Sequence, residues 1–179
     1  MATPDFIVAL RTQVGHDPLW LSGCSAVVLR DAGSEPEVLL VQRADDAMWT
    51  VICGILEPGE PPHLAAIREC AEETGVEVAV DSLVLVGVEG PIRYPNGDVT
   101  SYLDHTFRAH VVAGQARVAD DESVQVGWFK VTDLPKAMTL VQRRRIAAAL
   151  ADPARPFLVA SEAAADFPDL WEETGLSIR

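Results

Sequence analysis

The residues best suited to chemistry are three glutamates and an arginine in the segment GILEPGEPPHLAAIRECAEETGV, Gly54 to Val76. The run from His63 to Thr74 reads as a helix. Pro61 and Pro62 stand at its start, where missing N–H groups cost little, and Gly75 lies just past its end. At 100° per residue with Glu69 at zero, Glu73 falls at about 40° and Glu72 at about 300°. Three carboxylates therefore share an arc of about 100°. Leu64, Ile67 and Ala71 fall between about 160° and 220°, and the pattern predicts that this opposite side is the core face. Glu69 and Glu73, four apart, repel each other, and more strongly where water is thin. Arg68, four residues before Glu72, relieves only one of these groups. A hard divalent cation relieves the rest, because it prefers carboxylate oxygens and keeps waters for a phosphate or a nucleophile. On the E-x-x-E-E spacing alone, a solvated acidic face competes with that reading.

The surrounding pattern weighs against the solvated face. Gly54, five residues, Glu60, seven residues, Arg68-Glu69, Cys70, one residue, Glu72-Glu73, one residue, Gly75, Val76 resembles the Nudix box, G-x5-E-x7-R-E-U-x-E-E-x-G-U, where U is a bulky apolar residue. Every fixed position matches, with Cys70 a mild variation at an apolar one. The resemblance extends over about residues 20–150. It implies a Nudix fold, an α/β/α sandwich with a mixed sheet in which a loop–helix–loop carries the box. It also implies attack of water, dependent on Mg²⁺ or Mn²⁺, on a nucleoside diphosphate linked to another moiety. By position, Glu69, Glu72 and Glu73 resemble the metal ligands, with Gly54 contributing its carbonyl. Arg68 would orient the carboxylates, Glu60 would brace the loop, and Gly75 closes the motif. Many relatives read W-x-x-P-G-G where this chain has Trp49-Thr50-Val51-Ile52-Cys53-Gly54. Ile52 and Cys53 replace the proline and first glycine, and a small, buried role is expected of Cys53 rather than a nucleophilic one.

Outside the box, the resemblance makes Glu122 a further metal ligand or general base, with Asp120 and Asp121 as adjacent rivals; the alternative is a solvated acidic turn. Arg93 and Tyr94 lie in the turn-rich loop from Gly90 to Asp98, where an arginine can pair with phosphate and an aromatic can stack on a base. The competing reading of that loop is a hairpin turn around Asn96-Gly97. His63, His105 and His110 are expected to be structural or surface residues. Arg143 to Arg145 are expected to form a solvated helix face. Among family members, a proline about fifteen residues past the box goes with ADP-ribose hydrolases, and Pro91 stands there. A tyrosine about seventeen past goes with dinucleoside polyphosphate hydrolases, and Tyr94 is close. ADP-ribose-like substrates are favoured, with dinucleoside polyphosphates or oxidised nucleoside triphosphates as alternatives. A nucleotide-sensing module without catalysis is the reading of another class.

These residues need a scaffold. Leu21–Arg30, Val38–Gln42, Val51–Leu56, Glu77–Val88, Val99–Val112 and Val124–Val131 read as strands, while Pro4–Gln13 and Leu140–Leu150 read as helices. Mixed strands with so few helices suggest one α/β or α+β core, a single domain over residues 1–179. The part from Ala151 to Arg179 reads as a loosely attached tail with one short helix. The chain has 179 residues, 49% hydrophobic and 23% charged, the balance of a globular protein. Fourteen Lys and Arg against 27 Asp and Glu leave a net charge of -13. Binding to nucleic acid polymers or anionic membranes needs basic residues and is disfavoured. A small phosphorylated substrate stays open, since a divalent cation bridges two anions. Three cysteines with no C-x-x-C pair read as reduced thiols, and no signal or spanning segment stands out. A cytoplasmic enzyme acting on a small nucleotide is the expectation, with a homodimer as the assembly the resemblance allows.

Overall fold

In the computed structural model, which describes residues 3–33, 35–151 and 156–159, the run Leu19–Asp31 forms a central strand (β1), buried without a break from Gly23 to Leu29. Both of its faces are apolar, as a strand covered on two sides requires. Cys24, Ala26 and Val28 pack into one cluster, while Val27 and Leu29 pack into another on the opposite face. The alternation follows the period of two along a strand.

Around β1 the chain lays down helix α1 (Asp5–Val14), strands β2 (Pro36–Arg43), β3 (Trp49–Thr50) and β4 (Ile52–Ile55), and helix α2 (Pro62–Thr74). Strands β5 (Val76–Arg93), β6 (Val99–Gly114) and β7 (Ser123–Lys130), helix α3 (Leu140–Leu150) and strand β8 (Phe157–Val159) follow. The sheet runs β3-β2-β1-β6-β5-β8, with β4 paired to β1 and β7 to β2. β1 runs parallel to β6 along its length, but on its other edge it changes partner: Gly23 to Ala26 pair with β4, and Leu29 to Asp31 with β2. That exchange leaves Gly54 opposite Cys24, near the middle of the sheet. Helices α2 and α3 cover the two faces, and the result is the expected α/β/α sandwich with a mixed sheet. Phe157–Val159 adds a parallel strand beside β5. The short helix expected within the tail lies outside the described residues.

The seating of α2 corrects the expectation about its core face. Its buried residues are Ala65, Ala66, Glu69, Cys70 and Thr74, while Leu64 is 48% exposed and Ala71 lies at the surface. On the helical wheel Ala65 stands at about 320°, Ala66 at about 60° and Cys70 at about 100°, the same arc as Glu69 and Glu73. Small side chains let the helix approach the sheet closely, and that closeness carries the carboxylates inward. A hydrophobicity count favours the larger Leu64 and Ile67; Ile67 does pack, partly buried, at the margin of the core, but Leu64 and Ala71 face solvent.

Ala66→Leu should overpack this contact and lower stability by about 1–3 kcal/mol, whereas Leu64→Ala should change it by less than about 0.5 kcal/mol. Urea unfolding of the two variants checks this, and the opposite ranking would mean the helix is seated on its large residues.

Candidate active site

Gly54 and Glu69 occupy one another's space. A Cβ on Gly54 would fall 2.0 Å from Glu69 Oε1 and 2.1 Å from its carboxyl carbon, so the carboxylate rests on the bare backbone of β4. Glu69 is 3% exposed. Burial pushes its pKa from the ordinary 4.5 up to about 7, and the charge and hydrogen bond of Arg68 only partly oppose that rise. Glu73, one turn on, is pushed well above the usual carboxylate range by desolvation first, then by repulsion from Glu69 and from Asp120. A hydrogen bond from the Cys53 backbone N–H pulls the other way.

The arginine beside Glu69 is fully committed. Arg68 grips Glu60 with two parallel bonds, Nε to Oε1 at 2.9 Å and Nη2 to Oε2 at 3.0 Å, a geometry suited to a guanidinium. Its Nη1 donates to Glu69 Oε1 at 2.8 Å and to Glu72 Oε2 at 3.0 Å, and Nη2 reaches the Ile55 carbonyl at 3.3 Å. Glu60 also accepts from the Glu57 N–H at 3.0 Å, so it joins the loop before α2 to the helix through Arg68. Glu72, exposed, flanks the cluster. Gly75 ends the helix in a left-handed conformation, φ 67°, with its N–H on the Ala71 carbonyl.

From Gly75 onward the chain leaves and returns. After β6 the Arg117 N–H bonds the Thr74 carbonyl at 3.0 Å and the Ala119 N–H bonds the Glu73 carbonyl at 3.1 Å. These bonds satisfy exposed carbonyls at the end of α2 and deliver Asp120 to Glu73. Asp120 Oδ1 accepts from the Glu122 and Ser123 N–H groups, each at 3.2 Å, turning the chain into β7. Glu122 is half-buried, and its carbonyl accepts the Ala44 N–H at 2.7 Å. The charge of Asp120 is felt at Glu73, although the resemblance put Glu122 ahead of its neighbours Asp120 and Asp121.

The other residues singled out by sequence lie apart from the carboxylates. Arg93 is exposed, and the Tyr94 hydroxyl pairs with that of Tyr102 at 2.8 Å. His63 and His110 are exposed, and His105 Nδ1 lies 3.1 Å from the Gly23 carbonyl. Arg143 to Arg145 do not form a solvated face. Arg144 is 7% and Arg145 3% exposed, because α3 lies flat on the sheet and its third arginine is neutralised from beneath by Asp104 and Glu89, at 3.0 and 2.6 Å. Asp104 and Gln142, both buried, carried no local signal, since a strand aspartate and a helix glutamine look ordinary. Cys53 meets this group from the β4 side, with its thiol pushed up to about 11 by burial.

Among the described residues no three His, Cys, Asp or Glu side chains are gathered as a closed metal cage. The donor set nevertheless suits a hard divalent cation. Two desolvated carboxylates on one helix, a third acid facing them, and a single arginine already shared three ways leave negative charge without an internal partner.

A buried glutamate and a half-buried one on a loop–helix–loop, seated against a mixed sheet between two helices, form a candidate site of the kind the box implies. The NUDIX domain family model matches residues 22–150. A MutT-like protein of Streptomyces ambofaciens is 32% identical over 133 residues, 74% of this chain and 79% of that protein. The human 8-oxo-dGDP phosphatase NUDT18 is 31% identical over 118 residues, 63% of this chain. The chain spans about a third of the length of that relative (34%) and of a Caenorhabditis elegans relative (29%). The crystal structure of a MutT NUDIX hydrolase from Burkholderia pseudomallei superposes with a TM-score of 0.60 at 28% identity, covering 72% of this chain and 96% of that one. This chain belongs to the Nudix family and is a pyrophosphatase-type hydrolase of a family that generally depends on divalent metals. No helix among the described residues is long and apolar enough to cross a membrane.

Glu69 and Glu73 hold protons in the folded chain at pH values where the unfolded chain has lost them. Their contribution should therefore make the metal-free protein less stable as pH rises from about 4.5 to about 7. Glu60 and Asp45, held low by hydrogen bonds from Arg68 and Arg43, act at lower pH instead. Thermal melts should show this decline, a flatter profile for Glu69→Gln, and its removal by millimolar Mg²⁺. Gly54→Ala should displace Glu69 and weaken Mn²⁺ binding by roughly tenfold or more, about 1.4 kcal/mol. Unchanged Mn²⁺ affinity in titrations of that variant would remove Gly54 from the site.

Proposed function

We propose that this chain is a cytoplasmic, Mg²⁺-dependent pyrophosphohydrolase that cleaves the diphosphate of a nucleoside diphosphate linked to another moiety, using water as nucleophile. Mn²⁺ would serve in its place. The observation that carries the reading is the sinking of Glu69 against the backbone at Gly54, with Glu73 one turn on, where a single arginine shared with Glu60 and Glu72 offsets only part of the carboxylates' charge. Glu69, Glu72, Glu73 and the Gly54 carbonyl would hold the cation, with Glu122 as the acid from outside the helix. Bound there, the ion would neutralise the pyrophosphate and lower the pKa of its water.

The protein's own residues do the rest. Arg68, fixed by Glu60, holds Glu69 and Glu72 at set distances, so the carboxylates are oriented before substrate arrives. Glu73 is held protonated to higher pH than an ordinary carboxyl, chiefly by desolvation. Glu122 and Asp120 enter from the loop before β7 and close the open side of the cluster. Arg93 and Tyr94, on the hairpin between β5 and β6, are the proposed contacts to the rest of the nucleotide.

Within this class, ADP-ribose-like compounds are the favoured substrates, on the strength of Pro91. The similarity to the human 8-oxo-dGDP phosphatase favours a second reading, an oxidised purine nucleotide. A panel of ADP-ribose, diadenosine polyphosphates and 8-oxo-dGTP, with and without Mg²⁺, separates them. ADP-ribose is expected to show the highest kcat/KM and to yield AMP and ribose 5-phosphate; a higher value for either competitor reverses the choice.

On the preferred substrate, Glu73→Gln should lower kcat by about a hundredfold or more, close to 3 kcal/mol of barrier, with the circular dichroism spectrum unchanged. Glu122→Gln should lower kcat by roughly tenfold, and Asp120→Asn by less. Near-wild-type rates for Glu73→Gln would remove the metal-site assignment, and a larger loss for Asp120→Asn would transfer the loop role to that residue.

A further inference from the structure

A second buried polar network lies behind Gly54, on the side of the sheet away from α2, and the box makes no use of it. Its hub is the Cys53 thiol. Arg145 Nη1 donates to Sγ at 3.4 Å, Gln142 Nε2 approaches it at 3.9 Å, and the S–H points to the Val51 carbonyl at 3.2 Å. Gln142 also accepts the Val51 N–H through Oε1 at 3.3 Å. Gln142 and Arg145 stand three apart, so one face of α3 holds both ends of the Val51–Cys53 segment.

Arg145 is in turn held by the sheet. Its Nη2 lies 2.6 Å from Glu89 Oε1 on β5 and 3.0 Å from Asp104 Oδ2 on β6. Asp104 is fixed by two further donors, Ser25 Oγ to Oδ2 and Thr106 Oγ1 to Oδ1, both at 2.8 Å. Ser25 is the direct cross-strand partner of Cys53. A buried ionic group of this kind is weak evidence for added stability, because removing charge from water is costly. What the network supplies is one defined geometry, with the buried Arg145 Nε left without a hydrogen-bond partner.

The segment it fixes is the one on which the carboxylates depend. The Gly54 backbone supports Glu69, and the Cys53 amide lies close enough to Glu73 to favour its charged form. At 52 and 53 this chain carries Ile and Cys, so it lacks the fixed φ that a proline at 52 provides in many relatives. We infer that Arg145, locked by Asp104 and Glu89, is a positioning residue that sets the Cys53–Gly54 backbone through the Cys53 thiol, and through it Glu69 and Glu73. The inference rests on the hydrolase reading above.

The test uses the full chain with Arg145→Met, Arg145→Lys and Cys53→Ala, each checked for folding by circular dichroism and melting. Two quantities are read: kcat and KM on whichever panel substrate the wild type cleaves, and Mn²⁺ affinity of the substrate-free protein by electron paramagnetic resonance. Arg145→Met is expected to lower kcat at least tenfold with KM within threefold, and to weaken Mn²⁺ binding at least fivefold. Arg145→Lys should recover part of both losses. Cys53→Ala removes the sulfur acceptor and its S–H bond to the Val51 carbonyl, and keeps the buried charges balanced. It should move both quantities in the same direction by a smaller factor, and it decides the matter if Arg145→Met does not fold. Unchanged kcat and unchanged Mn²⁺ affinity in folded Cys53→Ala and Arg145→Lys would overturn the inference. Wild-type protein inactive on the whole panel would instead count against the hydrolase reading, while the Mn²⁺ titration would still report on the brace.

Discussion

Negative charge placed where water is thin is the constraint around which this molecule is organised. Glu69 and Glu73 sit on the face of α2 that packs on the sheet, and each is held protonated far above the usual carboxylate range by that burial. Desolvated like charges on one helix raise the free energy of the folded chain. Other features of the site follow from accommodating them. Gly54 has no side chain because a carboxylate fills that place. Ala65, Ala66 and Cys70 are small because the helix must approach the sheet closely enough to bury its acids. Arg68 compensates Glu69 and Glu72, and its five donors are already divided among three carboxylates and a carbonyl. The remaining deficit of positive charge is the property a divalent cation exploits.

The scaffold was largely legible from pattern. The helix over 140–150 and the helix ending at Thr74 are marked by Thr139 and Gly75, and both boundaries are local chemistry: a side-chain cap and a left-handed residue. The strands follow from alternation and β-branched runs. Which face of α2 is buried was not legible, because hydrophobicity weighs residue size while packing at this contact rewards smallness. The fate of Arg145 was hidden for a different reason. Three consecutive arginines point in three directions on a helix, and whether one of them is buried depends on carboxylates more than forty residues away, at Asp104 and Glu89. Asp120 reaches Glu73 only because the chain after β6 bonds the last carbonyls of α2, a contact no local signal encodes.

The acidity of the whole chain bears on the same problem. A net charge of -13 opposes the approach of a polyphosphate, and the arginine nearest the carboxylates is already neutralised. Arg93 is exposed on the β5–β6 hairpin, and the Tyr94 hydroxyl is bonded to Tyr102; one exposed guanidinium does little against a field of that sign. On the proposed function, attraction of the substrate would therefore fall mainly to a cation carried with it or held by the glutamates. Metal dependence would then, on that same function, be a condition for the nucleotide to remain bound as well as for the chemistry.

Precision at the carboxylates then becomes a question about the strand beneath them. Gly54 is reached from both faces of the sheet: from α2 through Glu69, and from α3 through Cys53, Gln142 and Arg145. A glycine backbone is the most permissive in the chain, and at Gly54 its freedom would otherwise blur the position of any carbonyl ligand. The cross-strand pairing of Cys53 with Ser25 and of Gly54 with Cys24 fixes its height in the sheet. The bonds to α3 limit its rotation, and the tight contact with Glu69 limits its approach to α2. The residue that must lack a side chain to admit the carboxylate is thus held by its neighbours' side chains, and the two helices that sandwich the sheet meet, in effect, at that one residue.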